Sequence, residues 1–141
     1  MGKAELILTG RGLSKSFGEG RALISSEPIS FFGGVDPHTG LIIESGHQLE
    51  GKSITNRVLI FPHGKGSTVG AYTLYLMSKL GTAPAAIINV EADPVVIVGC
   101  IISNIPLVDH LSSNPLEVIC NDDYVYVDGA AGRVKVVKVS Q

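Results

Sequence analysis

The residues best suited to chemistry stand together in one run, Gly64-Lys-Gly-Ser-Thr-Val-Gly70. Gly64 and Gly66 let the backbone approach a ligand closely, Lys65 supplies a cation, and the amides near Ser67 and Thr68 would face the mouth of a helix starting there. That combination suits a small anionic substrate. The same field would lower the cost of an alkoxide on Ser67, so this serine could act as base toward a carbon acid once bound substrate excludes water. A plainer role competes, in which Ser67 or Thr68 only caps the helix.

Other runs carry chemistry in their letters. Gly46-His-Gln-Leu-Glu-Gly-Lys-Ser53 satisfies the Walker A pattern, but a phosphate loop needs a helix directly after it, and Ile54 to Phe61 reads as the approach to a strand. A surface turn is expected there. The glycines of 64–70, with Glu91 at the end of the next strand, also fit part of a dinucleotide fingerprint; that fold needs several consecutive βαβ units, and one clear unit is visible. Phe31-Phe-Gly-Gly-Val-Asp-Pro-His-Thr-Gly40 gathers two glycines, an acid, an imidazole and a hydroxyl in a turn-rich loop. His47 and His63 lack partners at metal-ligand spacing, and Cys100 and Cys120 form neither a CxxC nor a zinc-finger pattern. Two buried, reduced thiols and no metal site on this chain are the expectation.

The elements that must position the glycine run can be read around it. Arg57–Phe61 is a compact apolar run suited to a buried strand. Val69–Leu80 has Leu74, Met77 and Ser78 at helical spacing, Lys79 in its last turn and Gly81 as a stop; Tyr72, Tyr75 and Met77 read as packing residues. Ala85–Val90 is a second buried strand, completing a strand, glycine turn, helix and parallel strand. Asp93-Pro94 looks like an N-cap and first helical residue opening Val95–Ser103, where β-branched content makes helix and strand hard to separate; helix is favoured. Before this unit, Glu5–Leu8, Gly20–Ile24, Ile29–Phe32 and Leu41–Ile43 read as short strands. After it, so does Leu116–Cys120, and Tyr124–Val127 with Arg133–Val139 flank Asp128-Gly129 as a half-exposed hairpin. The sum is an α/β domain on a mixed, β-rich sheet with few helices.

Composition bounds the function. The 141 residues suit a single domain over 1–141, and 45% hydrophobic against 17% charged residues predicts a folded chain. A net charge of −2 gives no footprint for nucleic acid. No apolar stretch reaches membrane-span length and Met1–Leu8 lacks a leader's pattern, so a soluble cytoplasmic protein is expected, with some apolar surface available to another chain.

Four runs occur together and in order: Pro28–Gly40, Phe61–Gly70, Gly81-Thr-Ala-Pro-Ala-Ala-Ile-Ile88 and Ala92-Asp-Pro94. In these the chain resembles the small subunit of the aconitase X family over about Gly10 to Asp109. The resemblance implies a swivelling β/β/α domain, similar to the mobile domain of aconitase, that docks as a heterodimer on a large subunit holding a [4Fe-4S] cluster. It further implies a hydro-lyase that dehydrates (R)-5-phosphomevalonate to trans-anhydromevalonate 5-phosphate in the modified mevalonate pathway of isoprenoid biosynthesis. Ser67 matches the family's proton acceptor, with a cluster iron of the partner acting on the departing hydroxyl. Lys65, Gly66 and Thr68 are then candidates for holding an anionic substrate group, and Gly33, Gly34 and Asp36 for lining the cleft. Two departures stand out: the family often has Arg and a second Ser where this chain has Lys65 and Thr68, and His-Pro-Leu where it has His47-Gln-Leu49. Lys keeps the charge but lacks a bidentate fork. Two alternatives stay open: dehydration of cis-3-hydroxy-L-proline within the family, or a stand-alone small-anion or nucleotide-binding module.

Overall fold

A computed structural model describes residues 4–139; the ends of the opening and closing segments, Met1–Lys3 and Ser140–Gln141, lie outside them. In chain order the elements are β1 (Glu5–Thr9), β2 (Arg11–Ser14), β3 (Phe17–Ile24), α1 (Phe31–Gly34), β4 (Val58–Phe61), α2 (Gly70–Leu80), β5 (Ala86–Asn89), α3 (Pro94–Ser103), β6 (Leu107–Asp109), α4 (Pro115–Val118), β7 (Tyr124–Asp128) and β8 (Arg133–Val137). The strands join in the order β1-β8-β7-β3-β4-β5-β6-β2.

Strand β3 serves two layers. Its first half, Phe17–Arg21, pairs antiparallel with β7, and its second half, Ala22–Ile24, pairs parallel with β4. The β1-β8-β7-β3 portion is thus antiparallel, whereas β3-β4-β5-β6 is parallel, with β2 antiparallel on its edge. The chain passes from β1 at one end of the order to β2 at the other through Gly10, where the two layers meet. Backbones touch there: a Cβ on Gly129 would overlap the Ser14 carbonyl oxygen, and one on Gly12 would overlap that of Gly129. Only glycine fits so close an approach.

Strand alternation divides the core in two. Val58, Ile60, Ala86, Ile88 and Val108 face the antiparallel layer and meet Leu8, Val125, Val127, Val134 and Val136. Leu59, Phe61, Ile87 and Leu107 face the other way, onto Leu74 and Met77 of α2 and Val96 and Cys100 of α3. The result is two β layers and one helical layer, the expected β/β/α arrangement. Helices α2 and α3 come close because α3 carries Gly99, where a Cβ would stand 2.7 Å from Leu74 Cδ1.

Both long helices follow their predicted signals. Gly81 ends α2 in the left-handed conformation, with φ 79°, and Asp93 caps α3 with Pro94 in its first turn. Where the β-branched run left helix and strand close, the cap decides for helix. Three predicted strands are something else. Ile29–Phe32 contributes an isolated bridge at Ile29 and then a single turn, α1; Leu41–Ile43 makes only isolated bridges; and Leu116–Cys120 opens as α4, capped by Asn114 with Pro115 behind it. The parallel layer also holds one βαβ unit more than was visible, because β6 is only three residues long. No helix among the described residues is long and apolar enough to cross a membrane.

Candidate functional site

The glycine run leaves the carboxyl end of β4, the side on which open α/β sheets place their ligand sites. It is held by the segment before α1: Ile29 bridges Gly64, the Lys65 N–H donates to the Ile29 carbonyl (3.0 Å), and the Ile29 N–H donates to that of His63 (3.4 Å). Gly66 turns the chain at φ 90°, and a Cβ there would stand 2.6 Å from Ser30 Oγ. Ser67 and Thr68 are exposed at the head of α2. Ser67 Oγ accepts the Val69 N–H at 3.1 Å, and the Ser67 carbonyl accepts that of Gly70 at 3.0 Å. Ser67 therefore closes the turn into the helix, while Val69 occupies the cap position without a side-chain bond.

The N–H groups of Gly66, Ser67 and Thr68 donate to no protein atom among the described residues. Together with the Lys65 ammonium they form a cationic, donor-rich rim around an exposed hydroxyl. Such a rim has the donors and the charge that binding an anion or stabilising an alkoxide requires, the chemistry expected of this run. Lys65 Nζ lies 2.8 Å from Glu44 Oε2, a partly exposed pair that sequence reading missed because the two stand 21 residues apart, on opposite sides of β4 in the chain.

The predicted cleft residues divide. Gly33, at φ 87°, and Asp36 line a depression of about 430 Å³ with Phe32, Ile43, Val69 and Tyr72. Gly34 is buried beside it, close to Glu44 and Ser30. Thr68 lines a second depression, of about 320 Å³, with Ala71, Tyr72, Val95, Val98 and Ile102 between α2 and α3. Neither depression includes Ser67 or Lys65; the run stands at the head of α2, with a depression to each side of the helix. Asp36 is occupied in its own turn, its Oδ1 accepting the His38 N–H at 2.9 Å. Tyr72 and Tyr75 do not pack as expected: Tyr72 is 70% exposed and Tyr75 40%, and only Met77 is buried.

Other polar groups fasten the surroundings. His47 is buried in the turn that resembles a Walker loop; its Nδ1 accepts the Leu49 N–H at 3.0 Å, so Nε2 carries the proton and donates to the Pro28 carbonyl at 2.9 Å. No helix follows that turn. Asp93 Oδ1 accepts the Gly64 N–H at 2.7 Å, a bond reaching into the candidate site from a residue read in sequence only as a cap. Asp109 is buried; burial raises its carboxyl, but the Arg11 fork, the Ala92 N–H and the charges of Arg11 and His110 outweigh this and hold it below the usual carboxylate range. Cys100 is buried, and burial with the nearby Asp93 charge pushes its thiol up. Cys120, against expectation, is exposed, in the turn between α4 and β7 rather than on a strand. No group of three or more His, Cys, Asp or Glu gathers among the described residues to hold a metal ion.

In sequence and in fold the chain is similar to known proteins. The phosphomevalonate dehydratase small subunit of Methanosarcina acetivorans is 53% identical over 131 residues, covering 93% of this chain and 91% of that protein. The small subunit of the same name from Methanocella arvoryzae is 58% identical over 116 residues, 82% of this chain and 88% of that one. Among solved structures, the holo-form crystal structure of Thermococcus kodakaraensis aconitase X superposes with a TM-score of 0.89 at 40% identity, over 94% of this chain and 99% of that chain. The aconitase X swivel domain matches residues 7–136, a span that runs from within β1 to within β8 and includes both long helices and the glycine run before α2. By sequence and by architecture, this chain belongs to the aconitase X swivel-domain family.

Proposed function

We propose that this chain is the small subunit of a dehydratase that converts (R)-5-phosphomevalonate to trans-anhydromevalonate 5-phosphate. Its 141 residues work as one swivel-type domain, in the cytoplasm, docked on a larger subunit. The observation that carries this reading is identity above 50% with proteins bearing that name across most of both chains. The geometry supports it, since Ser67 is an exposed hydroxyl within a rim of free amides beside Lys65.

In the proposed reaction Ser67, as alkoxide, takes the proton from the carbon beside the carboxylate. The electron pair of that C–H bond becomes the new double bond, the hydroxyl on the next carbon leaves as water after gaining a proton from solvent, and Ser67 returns the proton it took to solvent, so each turnover releases one water. The amides of Gly66, Ser67 and Thr68 stabilise negative charge at the serine or on an anionic group of the substrate, and Lys65 holds such a group by charge. Gly33 and Asp36 line the cleft closed by the partner, with Gly34 buried beside them. The [4Fe-4S] cluster that the family relationship suggests is assigned to the larger subunit: Cys100 and Cys120 are the only cysteines, the first buried in α3 and the second exposed between α4 and β7.

The test is anaerobic turnover of (R)-5-phosphomevalonate by this chain assembled with a cluster-reconstituted large subunit, with Ser67→Ala alongside. Wild type should form product, and Ser67→Ala should assemble equally but turn over about 10²- to 10⁴-fold more slowly. Full turnover by Ser67→Ala would overturn the serine's role. Consumption of cis-3-hydroxy-L-proline in place of the phosphorylated acid would overturn the substrate.

A further inference from the structure

Resting on the reading of Ser67 as proton acceptor, we infer that Asp93 is a positioning residue for Ser67, acting through the backbone N–H of Gly64. The two oxygens of its carboxylate serve different elements. Oδ2 accepts the N–H groups of Val95 (3.2 Å) and Val96 (3.4 Å) and caps α3. Oδ1 turns away from that helix and accepts the Gly64 N–H at 2.7 Å, the shortest of the three bonds.

A cap needs one oxygen. Asn114 caps α4 with its Oδ1 alone, through the Leu116 N–H at 3.0 Å, and Ser, Thr or Asn serve as caps about as well as Asp. Capping therefore leaves the second oxygen of Asp93 unexplained; the loop explains it. Two acceptor oxygens facing N–H groups in two directions are what an ionised carboxylate has and an amide or hydroxyl lacks.

The approach is also specified from the other side. A Cβ at position 64 would stand 2.9 Å from Asp93 Oδ1 and 2.8 Å from Val96 Cγ2, so the contact exists only with glycine there. Behind Asp93, the Ala92 N–H donates to buried Asp109 (2.8 Å), which Arg11 grips through Nε (2.9 Å) and Nη2 (2.8 Å). Asp93 is thus fixed to the far edge of the parallel layer before it reaches for the loop. The run to Ser67 is pinned at Gly64 by Asp93 and at Lys65 by Ile29, leaving Gly66 as the hinge between these anchors and the serine.

Asp93→Ser separates the two roles, because a serine hydroxyl still caps α3 but cannot also hold Gly64. In the assembled enzyme we expect this variant to keep KM within about twofold while kcat falls about tenfold to a hundredfold, the cost of a misplaced reacting group. Asp93→Asn, whose single carbonyl oxygen cannot serve both elements, should fall comparably. In a Ser67→Ala background Asp93→Ser should cost nothing further. Unchanged kcat, or an equal added loss without the serine, overturns the inference. Ser67→Ala alone reports on the underlying reading: if it keeps full turnover, that reading falls and this one with it, whereas a crippled Ser67→Ala beside a fully active Asp93→Ser overturns only the positioning role. Amide hydrogen exchange on the wild-type chain gives a check independent of any variant's folding. The Gly64 N–H should be protected as strongly as those of Val95 and Val96, and free exchange at Gly64 would overturn the anchor.

Discussion

The space between the two β layers and the loop layer at the carboxyl ends of β4 and β5 are built by opposite means. Between the layers, Val58, Ile60, Ala86, Ile88, Val125, Val127, Val134 and Val136 are completely buried, and the backbone groups around them are paired in regular ladders. In the loop layer, Gly33, Gly40, Gly46, Gly51 and Gly66 all take positive φ, hydrogen bonds run from side chain to backbone, and the run from Lys65 to Val69 is exposed. The first region gains stability from area removed from water; the second holds a hydroxyl, a cation and free amides in the open, where they contribute little to folding. Stability and the proposed chemistry are thus separated in space, joined by a few anchors such as Ile29 and Asp93.

The separation makes substitutions sort by region. The largest effect on stability belongs between the layers: Ile88→Ala removes a fully buried side chain and should cost about 2–5 kcal/mol, read from the denaturant midpoint. Turnover per assembled molecule should stay near wild type. A large loss of turnover by folded Ile88→Ala would break the comparison.

Next comes the dependence of stability on pH. Asp123 is buried beside Lys138; burial raises its carboxyl, but hydrogen bonds from Lys138, Cys120 N–H and Val139 N–H, with the Lys138 charge, leave it lowered, as Asp109 is by Arg11. Below the ordinary Asp value of 3.8 the unfolded chain takes up protons that the folded chain still refuses. This stabilisation is therefore complete above that value and is lost as pH falls through the lowered folded values. Urea midpoints measured against pH should drop on the acid side, and Asp123→Asn should be less stable at neutral pH yet converge on wild type in acid. Parallel curves would show that the buried acids do not carry the acid limb.

The same contrast explains what could be read from the sequence. Apolar runs such as Arg57–Phe61 and Ala85–Val90, and stop signals such as Gly81, report directly on burial and backbone conformation, and they located the parallel layer. The hairpin about Asp128-Gly129 was legible for the same reason. Ile29–Phe32 and Leu41–Ile43 misled because Ile29, Phe31 and Ile42 are buried from loops, in the cluster that holds Leu74 and Met77 of α2, while Phe32, Leu41 and Ile43 are exposed; such burial takes no strand partner and leaves no period. Leu116–Cys120 misled because Asn114-Pro115 starts a helical turn whose length is too short for a period to show. At the site, the composition of the Gly64–Gly70 run was visible at once, since glycine, lysine and serine there are local facts. Its anchors were not: Glu44 reaches Lys65 and Asp93 reaches Gly64 across 21 and 29 residues, and only the fold sets those distances.

The smallest effect on stability, and the sharpest test of the separation, falls on Lys65. Its pair with Glu44 is partly exposed on both sides, so Lys65→Ala should change the unfolding free energy by less than about 0.5 kcal/mol. The ammonium's proposed work is to hold an anionic substrate group through charge-assisted hydrogen bonds, which contribute about 1.5–3 kcal/mol. Lys65→Ala should accordingly raise KM for (R)-5-phosphomevalonate by about tenfold or more, and Lys65→Arg should restore most of it. Glu44→Gln runs the other way, releasing the ammonium from an exposed pair worth about 0.2–1 kcal/mol, so KM should fall by less than about fivefold. If instead Lys65→Ala unfolds the chain as readily as Ile88→Ala while KM stands still, the ion pair braces the loop layer and stability is not confined to the space between the β layers.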